Sequence, residues 1–72
     1  MRHGINVSVE VNKLFDQVKL DATFSAQLAS DRSNEAKYYA ATLSRRLNRS
    51  IKETTVERYL RQIRNKIEVA LG

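Results

Sequence analysis

The sequence predicts an all-α fold, a compact bundle of about four helices that contains a helix-turn-helix. Apolar residues recur three and four positions apart along most of the chain, which is the period of an amphipathic helix. The 72 residues contain no proline, and the two glycines stand at positions 4 and 72, so nothing in the interior forces a helix to break. Cysteine is absent, so the packing of helices has to supply the stability.

The first apolar segment fits two patterns. Strict alternation with polar residues from Ile5 to Val11 is typical of a strand. A helical stripe with Ser8 as N-cap reaches Lys19 and is formed by Val7, Val11, Leu14, Phe15 and Val18. We favour the helix because its pattern is longer and includes more residues, although it leaves Val9 on the polar face.

Two further helical segments follow, of which the first is short. Thr23 is the expected cap of a second helix from Phe24 to Ala29. A polar turn then leads to Ser33, the expected cap of a third helix from Glu35 to Asn48. The outer face of this third helix carries three side chains suited to phosphate: Tyr38, Arg45 and Arg49.

The fourth helix, from Lys52 to Leu71, has two contrasting faces. Ser50 and Glu53 form the S-x-x-E pattern of a capping box just before it. Its apolar stripe consists of Val56, Leu60, Ile63 and Ile67. At 100° per residue, the opposite face is polar, contains no acid and consists of Thr54, Arg58, Arg61, Gln62 and Asn65. Such side chains hydrogen-bond base edges and phosphates, so this helix is interpreted as a recognition helix.

These stripes predict a single DNA-binding domain over residues 1–72. The fourth helix ends without an αL cap that is followed by more chain, which leaves open that the domain is the N-terminal part of a longer protein. The expected core consists of Val11, Leu14, Phe15, Val18, Phe24, Leu28, Ala40, Leu43, Leu47, Val56, Leu60, Ile63 and Ile67.

The net charge of +5 is unevenly distributed along the chain. Residues 1–35 carry four basic and five acidic side chains, whereas residues 36–72 carry nine basic and three acidic ones. This asymmetry favours a polyanionic partner for the second half, with nucleic acid ahead of a membrane. No apolar run approaches the roughly 18 residues of a membrane span, and we expect a cytoplasmic, nucleoid-associated protein.

The segment A-T-L-S-R-R-L-N-R-S-I-K-E-T-T-V-E-R-Y-L-R-Q-I-R-N-K-I, residues 41–67, resembles the helix-turn-helix of LuxR-type bacterial regulators. The residues that match in register are Thr55, Val56, Leu60, Ile63, Lys66 and Ile67. The turn differs, because Leu47 and Val56 are nine positions apart where the family has about seven, and the usual glycine is missing. The resemblance implies a sequence-specific DNA reader whose helix around Thr55 to Gln62 meets the bases.

The candidate site residues fall into two groups. Those expected to read bases from the fourth helix are Thr54, Thr55, Arg58, Arg61 and Gln62. Those expected to contact the DNA backbone are Tyr38, Arg45, Arg49, Lys52 and Asn65. One helix reads only a few base pairs, so we expect a homodimer on double-stranded DNA, with Val69 and Leu71 as candidates for its contact. The expected role is transcription regulation or plasmid or phage maintenance.

Two other readings stay open. One is a ribbon-helix-helix dimer that inserts a strand from Ile5 to Val11 into the groove, although the Glu10 carboxylate would then face phosphates. The other is a helical module whose basic face binds an acidic protein. An enzyme is not expected, and neither is a cofactor, a metal or a small-molecule substrate, since His3 is the only histidine and no phosphate loop is present.

Overall fold

Four helices make up the fold of the chain in its computed structural model, which describes residues 6–71. They are α1 (Val7–Lys19), α2 (Ala22–Ala29), α3 (Arg32–Leu47) and α4 (Glu53–Leu71), and that range contains no strand. The predicted all-α bundle is therefore confirmed, while His3 and Ile5 lie outside the described residues. Among the helices of this range, none combines the length and the apolar character that a membrane crossing requires.

The first helix decides between the two patterns of its segment. It is helical from Val7 onward, so the predicted helix is right, and over residues 7–11 the alternative strand is wrong. The ribbon-helix-helix alternative depended on that strand. The expected cap was wrong by two residues. Asn6 Oδ1, rather than Ser8, accepts the N–H of Val9 at 3.3 Å. Val9 is exposed, as its place outside the helical stripe implied.

Aspartates cap the next two helices. Asp21 Oδ1 accepts the N–H of Phe24 at 3.0 Å, and Asp31 Oδ1 accepts the N–H groups of Ser33 and Asn34 at 3.1 and 3.2 Å. The predicted caps, Thr23 and Ser33, are wrong because both lie inside helices that begin earlier. A carboxylate at the N-cap satisfies free N–H groups and also complements the positive end of the helix dipole.

The turn between α3 and α4 is organised by Ser44. Asn48 adopts the left-handed conformation at φ 53° and ψ 46°, which takes the place of the glycine that is usual at this position. The Ser44 carbonyl accepts the N–H groups of Asn48 and Arg49, and the Ser44 hydroxyl accepts the N–H of Ile51 at 3.0 Å. One residue of α3 thus holds the turn at three points.

The predicted capping box does not start α4. The first helical bond runs from the N–H of Val56 to the carbonyl of Lys52 at 3.2 Å, so Lys52 takes the N-cap position and Ser50 lies two residues ahead of it. Ile51 is half-buried against the core cluster that includes Val56. This spacing is that of a hydrophobic staple, which fixes the entry of the chain into α4 without a polar cap.

The core is close to the predicted one, with changes at its ends. The buried apolar residues are Val11, Leu14, Val18, Leu28, Ala36, Tyr39, Ala40, Leu43, Val56, Leu60 and Ile63. Phe15, Phe24 and Leu47 are half-buried against this cluster. Ile67 was expected in the core but is 39% exposed, because α4 extends past the helices that it packs on. The sequence places Ala36 and Tyr39 on the apolar stripe of the third helix, although the expected core did not include them.

Candidate nucleic-acid interface

The outer face of α4 is set by the residues on its inner face. Val56, Leu60 and Ile63 are buried against the other helices, which turns the opposite side of α4 toward solvent. The predicted residues that are exposed on that side are Thr54, Arg58, Arg61, Gln62 and Asn65. Thr55, the fifth predicted base-reading residue, lies at the edge of this face and is half-buried. We call the five exposed residues the reading face.

One side of the reading face borders a cavity between α3 and α4. This cavity has a volume of about 410 Å³, and Arg61 lines it together with Arg32, Ser33 and Glu57. Within residues 6–71, neither Arg58 nor Arg61 forms an ion pair. Both guanidinium groups are therefore free to bind an external acceptor. On this side, the reading face ends at the acidic side chain of Glu57.

The predicted backbone contacts lie in three places, one of which is Asn65 on the outer face of α4. Arg45, Arg49 and Lys52 are exposed at the end of α3 and in the following turn, beside the start of α4. Arg49 belongs to the turn, since α3 ends at Leu47. Tyr38 is half-buried, with its ring edge-to-face with that of Phe24 at 5.1 Å between centroids. Tyr38 thus lies at the contact of α2 with α3, away from the exposed basic residues of the turn, and we do not include it among the candidate DNA contacts.

Lys37 lies near Lys52, although the sequence analysis did not select it as a candidate. It lines an open groove of about 610 Å³ with a mostly apolar floor, between α3 and the start of α4. Lys52 and Thr54 line the same groove. Only the path of the turn brings Lys37 near Lys52. The sequence carries no local signal for this proximity.

An ion pair between buried Glu35 and half-buried Arg64 joins the two helices behind the reading face. Arg64 Nη2 lies 2.6 Å from both carboxylate oxygens of Glu35, whose side chain is 6% exposed. Burial, followed by the negative charge of Glu35, raises the pKa of the nearby Tyr39 hydroxyl above its ordinary value, while the positive charge of Arg64 lowers it. In the sequence, the only indication of this pair is that Glu35 and Arg64 have opposite charges and each lies beside the apolar stripe of its helix.

The chemistry of the site is that of hydrogen-bond donors with positive charge. No group of three or more metal-ligating side chains occurs in the described part of the chain. Comparison with protein-family models, with curated proteins and with solved structures finds no match to this chain. The chemistry of the exposed side chains is therefore the basis for inferring a ligand.

Proposed function

We propose that the chain binds double-stranded DNA in a sequence-specific manner, with α4 in the major groove. The observation that carries this proposal is the reading face, which is exposed, contains no acid and lies opposite the buried stripe of α4. The biological setting that we propose is a bacterial nucleoid-associated regulator of transcription, or a protein of plasmid or phage maintenance.

The chemistry of the reading face fits base edges. Arginine donates two hydrogen bonds to guanine O6 and N7. Glutamine donates one to adenine N7 and accepts one from the adenine N6 amino group, and threonine offers both a hydroxyl and a methyl group. The major groove, about 12 Å wide, admits a helix of about 10–12 Å in diameter. A face that combines Arg58, Arg61 and Gln62 therefore carries donors suited to two kinds of base pair.

Backbone contacts would come from the residues around the turn. Arg45, Arg49 and Lys52 are exposed there, and Lys37 adds a fourth positive charge nearby. No side chain among residues 6–71 accepts a hydrogen bond from the first-turn N–H groups of α4, whereas α1, α2 and α3 each have a side-chain cap. A phosphate at this helix end would be a suitable acceptor. Such contacts position the protein without reading sequence.

The experiment that tests this proposal compares four arginines. The preferred site is first selected from random-sequence DNA with the unaltered protein. Arg58→Ala and Arg61→Ala should then weaken the preferred site far more than random DNA, because a bidentate Arg–guanine pair is worth about 1–3 kcal/mol of discrimination. Arg45→Ala and Arg49→Ala should weaken both DNAs equally and reduce the salt slope by roughly one unit. Fluorescence anisotropy at several salt concentrations measures all four variants.

Arg46→Ala is the matched control. It removes one positive charge from α3, but the Arg46 guanidinium donates to Gln17 Oε1 on α1 at 3.2 Å. We expect its DNA binding to be unchanged. If all four test variants lose preferred and random DNA in equal proportion, α4 reads nothing and the basic surface is only electrostatic. Absence of any salt-dependent DNA binding would instead favour an acidic protein as the partner.

A further inference from the structure

The Glu35–Arg64 pair is the only ion pair between two helices among residues 6–71. It links the first turn of α3 to α4 across 29 positions of sequence, and the side chains of Glu35 and Arg64 are 6% and 22% exposed. The other two ion pairs in this range lie within α1, one turn apart: Lys13–Glu10 and Lys19–Asp16. The inter-helix pair is thus distinct in both burial and reach.

Stability alone does not account for such a pair. Removing two charges from water costs about as much as their attraction returns, so a buried pair is often no more stabilising than apolar residues of similar size. What an ion pair adds is direction. The burial of Val56, Leu60 and Ile63 holds α4 against the core, but the hydrophobic effect has no preferred angle, so it defines the rotation of α4 less sharply than a directional bond does. Arg64 Nη2 lies 2.6 Å from both carboxylate oxygens of Glu35, and a rotation of α4 would lengthen or bend this shared contact.

We propose that Glu35 and Arg64 are positioning residues, which fix the rotation of α4 on α3 so that Arg58 and Arg61 meet base edges in a single register. This inference rests on the proposed function. Arg61 lies one turn before Arg64, and both line the same cavity. A rotation of α4 by about 20° would move an atom at the helix surface by about 2 Å. A displacement of this size breaks a hydrogen bond to a base.

The test replaces the pair by apolar residues, Glu35→Leu together with Arg64→Met, since either single change leaves a buried charge without its partner. We expect the ratio of preferred-site to random-DNA affinity to fall about tenfold or more, which is the loss of a bidentate base contact. The thermal midpoint should stay near that of the unaltered protein or rise. A second double variant, Glu35→Gln with Arg64→Leu, is measured beside it, so that one poorly folded variant does not decide the result.

Gln17→Leu with Arg46→Met is the matched control. This double variant removes the exposed link between α1 and α3 and also deletes one arginine, but it touches no residue of α4. Its affinity ratio should equal that of the unaltered protein. An unchanged ratio in the Glu35/Arg64 double variants would overturn the inference, because apolar packing would then be enough to position α4.

A measurement without DNA separates this inference from the proposed function. Residual dipolar couplings give the orientation of α4 relative to α3 in the free protein, and we expect it to differ in the double variants. The same orientation with a lower affinity ratio would overturn the inference, since Glu35 or Arg64 would then act on DNA directly. If the unaltered protein prefers no DNA sequence, the proposed function fails, and an unchanged orientation would still overturn the positioning role.

Discussion

Tyr39 shows at the scale of a single residue how burial links ionisation to stability. Its side chain is buried in the core, where burial and the Glu35 carboxylate raise the pKa of its hydroxyl above the ordinary value of about 10. The folded state therefore favours the neutral phenol more than the unfolded state does. That stabilisation is complete below the unfolded pKa, and it is lost progressively as the pH rises above about 10.

By linkage, we therefore expect the thermal midpoint to fall as the pH is raised from about 9 to about 11.5. Tyr39→Phe should remove part of that fall, because the variant has no hydroxyl to ionise at this position. Circular dichroism melts across the range measure it. Tyr59→Phe is the control, since it removes the hydroxyl of a tyrosine that is only half-buried. The thermal midpoint of this variant should depend on pH as that of the unaltered protein does. Equal pH dependence in the Tyr39 variant and the unaltered protein would contradict the expectation.

Asn48 makes the corresponding point at the scale of an element. The connection of α3 to α4 needs a left-handed residue at this position, with φ at 53°. Glycine and asparagine adopt this conformation readily, whereas alanine at such a position costs about 1–2 kcal/mol. Asn48→Ala should therefore lower the free energy of unfolding in urea by about that amount, while Asn48→Gly should change it by less than about 0.5 kcal/mol. Equal effects of the two substitutions would contradict this account of the turn.

The elements could be predicted from the sequence, but their ends could not. Apolar periodicity identified four helices, because it follows directly from the burial of one face. The expected N-caps of α1, α2 and α3 were each misplaced by two residues, since several of Ser, Thr, Asp and Asn stand close together at the start of each of these helices and composition alone does not choose among them. At α4 the N-cap position falls on Lys52, which no capping preference would select. Ile67 was misplaced for another reason: a stripe shows which side of a helix is apolar, not how far the neighbouring helices reach.

The candidate site was predictable to the same extent. The reading face follows from the apolar stripe of α4 by geometry alone, so its exposure was foreseen. The positions of Tyr38, Lys37 and Arg64 depend on how α2, α3 and the turn are arranged in space, which no local pattern specifies. Whether this surface binds DNA stays a prediction.

The whole molecule is expected to act on DNA as a dimer. Val69 and Leu71 are 80% and 83% exposed, so neither packs inside the subunit. At 100° per residue they project to nearly opposite sides of α4, and a single contact cannot bury both. Leu71 shares a side with Ile67, which makes these two the better candidates for an apolar contact with a second copy.

Sedimentation of the protein with its selected DNA should therefore show two chains per site, and the footprint should contain two half-sites one helical turn or a multiple apart. Ile67→Asp with Leu71→Asp should reduce the complex to one chain. Val69→Asp is the control on the other side of α4 and should leave two. A single chain per site with the unaltered protein would contradict the dimer.

The far end of α4 has a consequence for how the molecule divides its stability. Every residue from Asn65 to Leu71 is exposed, so about 10 Å of helix is held by its own backbone hydrogen bonds rather than by the core. In the language of hydrogen exchange, these amides open at a small local free energy, whereas those near Leu60 exchange only when the whole domain unfolds. Residues 65–71 can thus unfold locally, or become ordered by contact with another molecule, while the part of α4 around Leu60 keeps its orientation. In the proposed complex, contact with a second copy and contact with DNA would then involve separately stable parts of one helix.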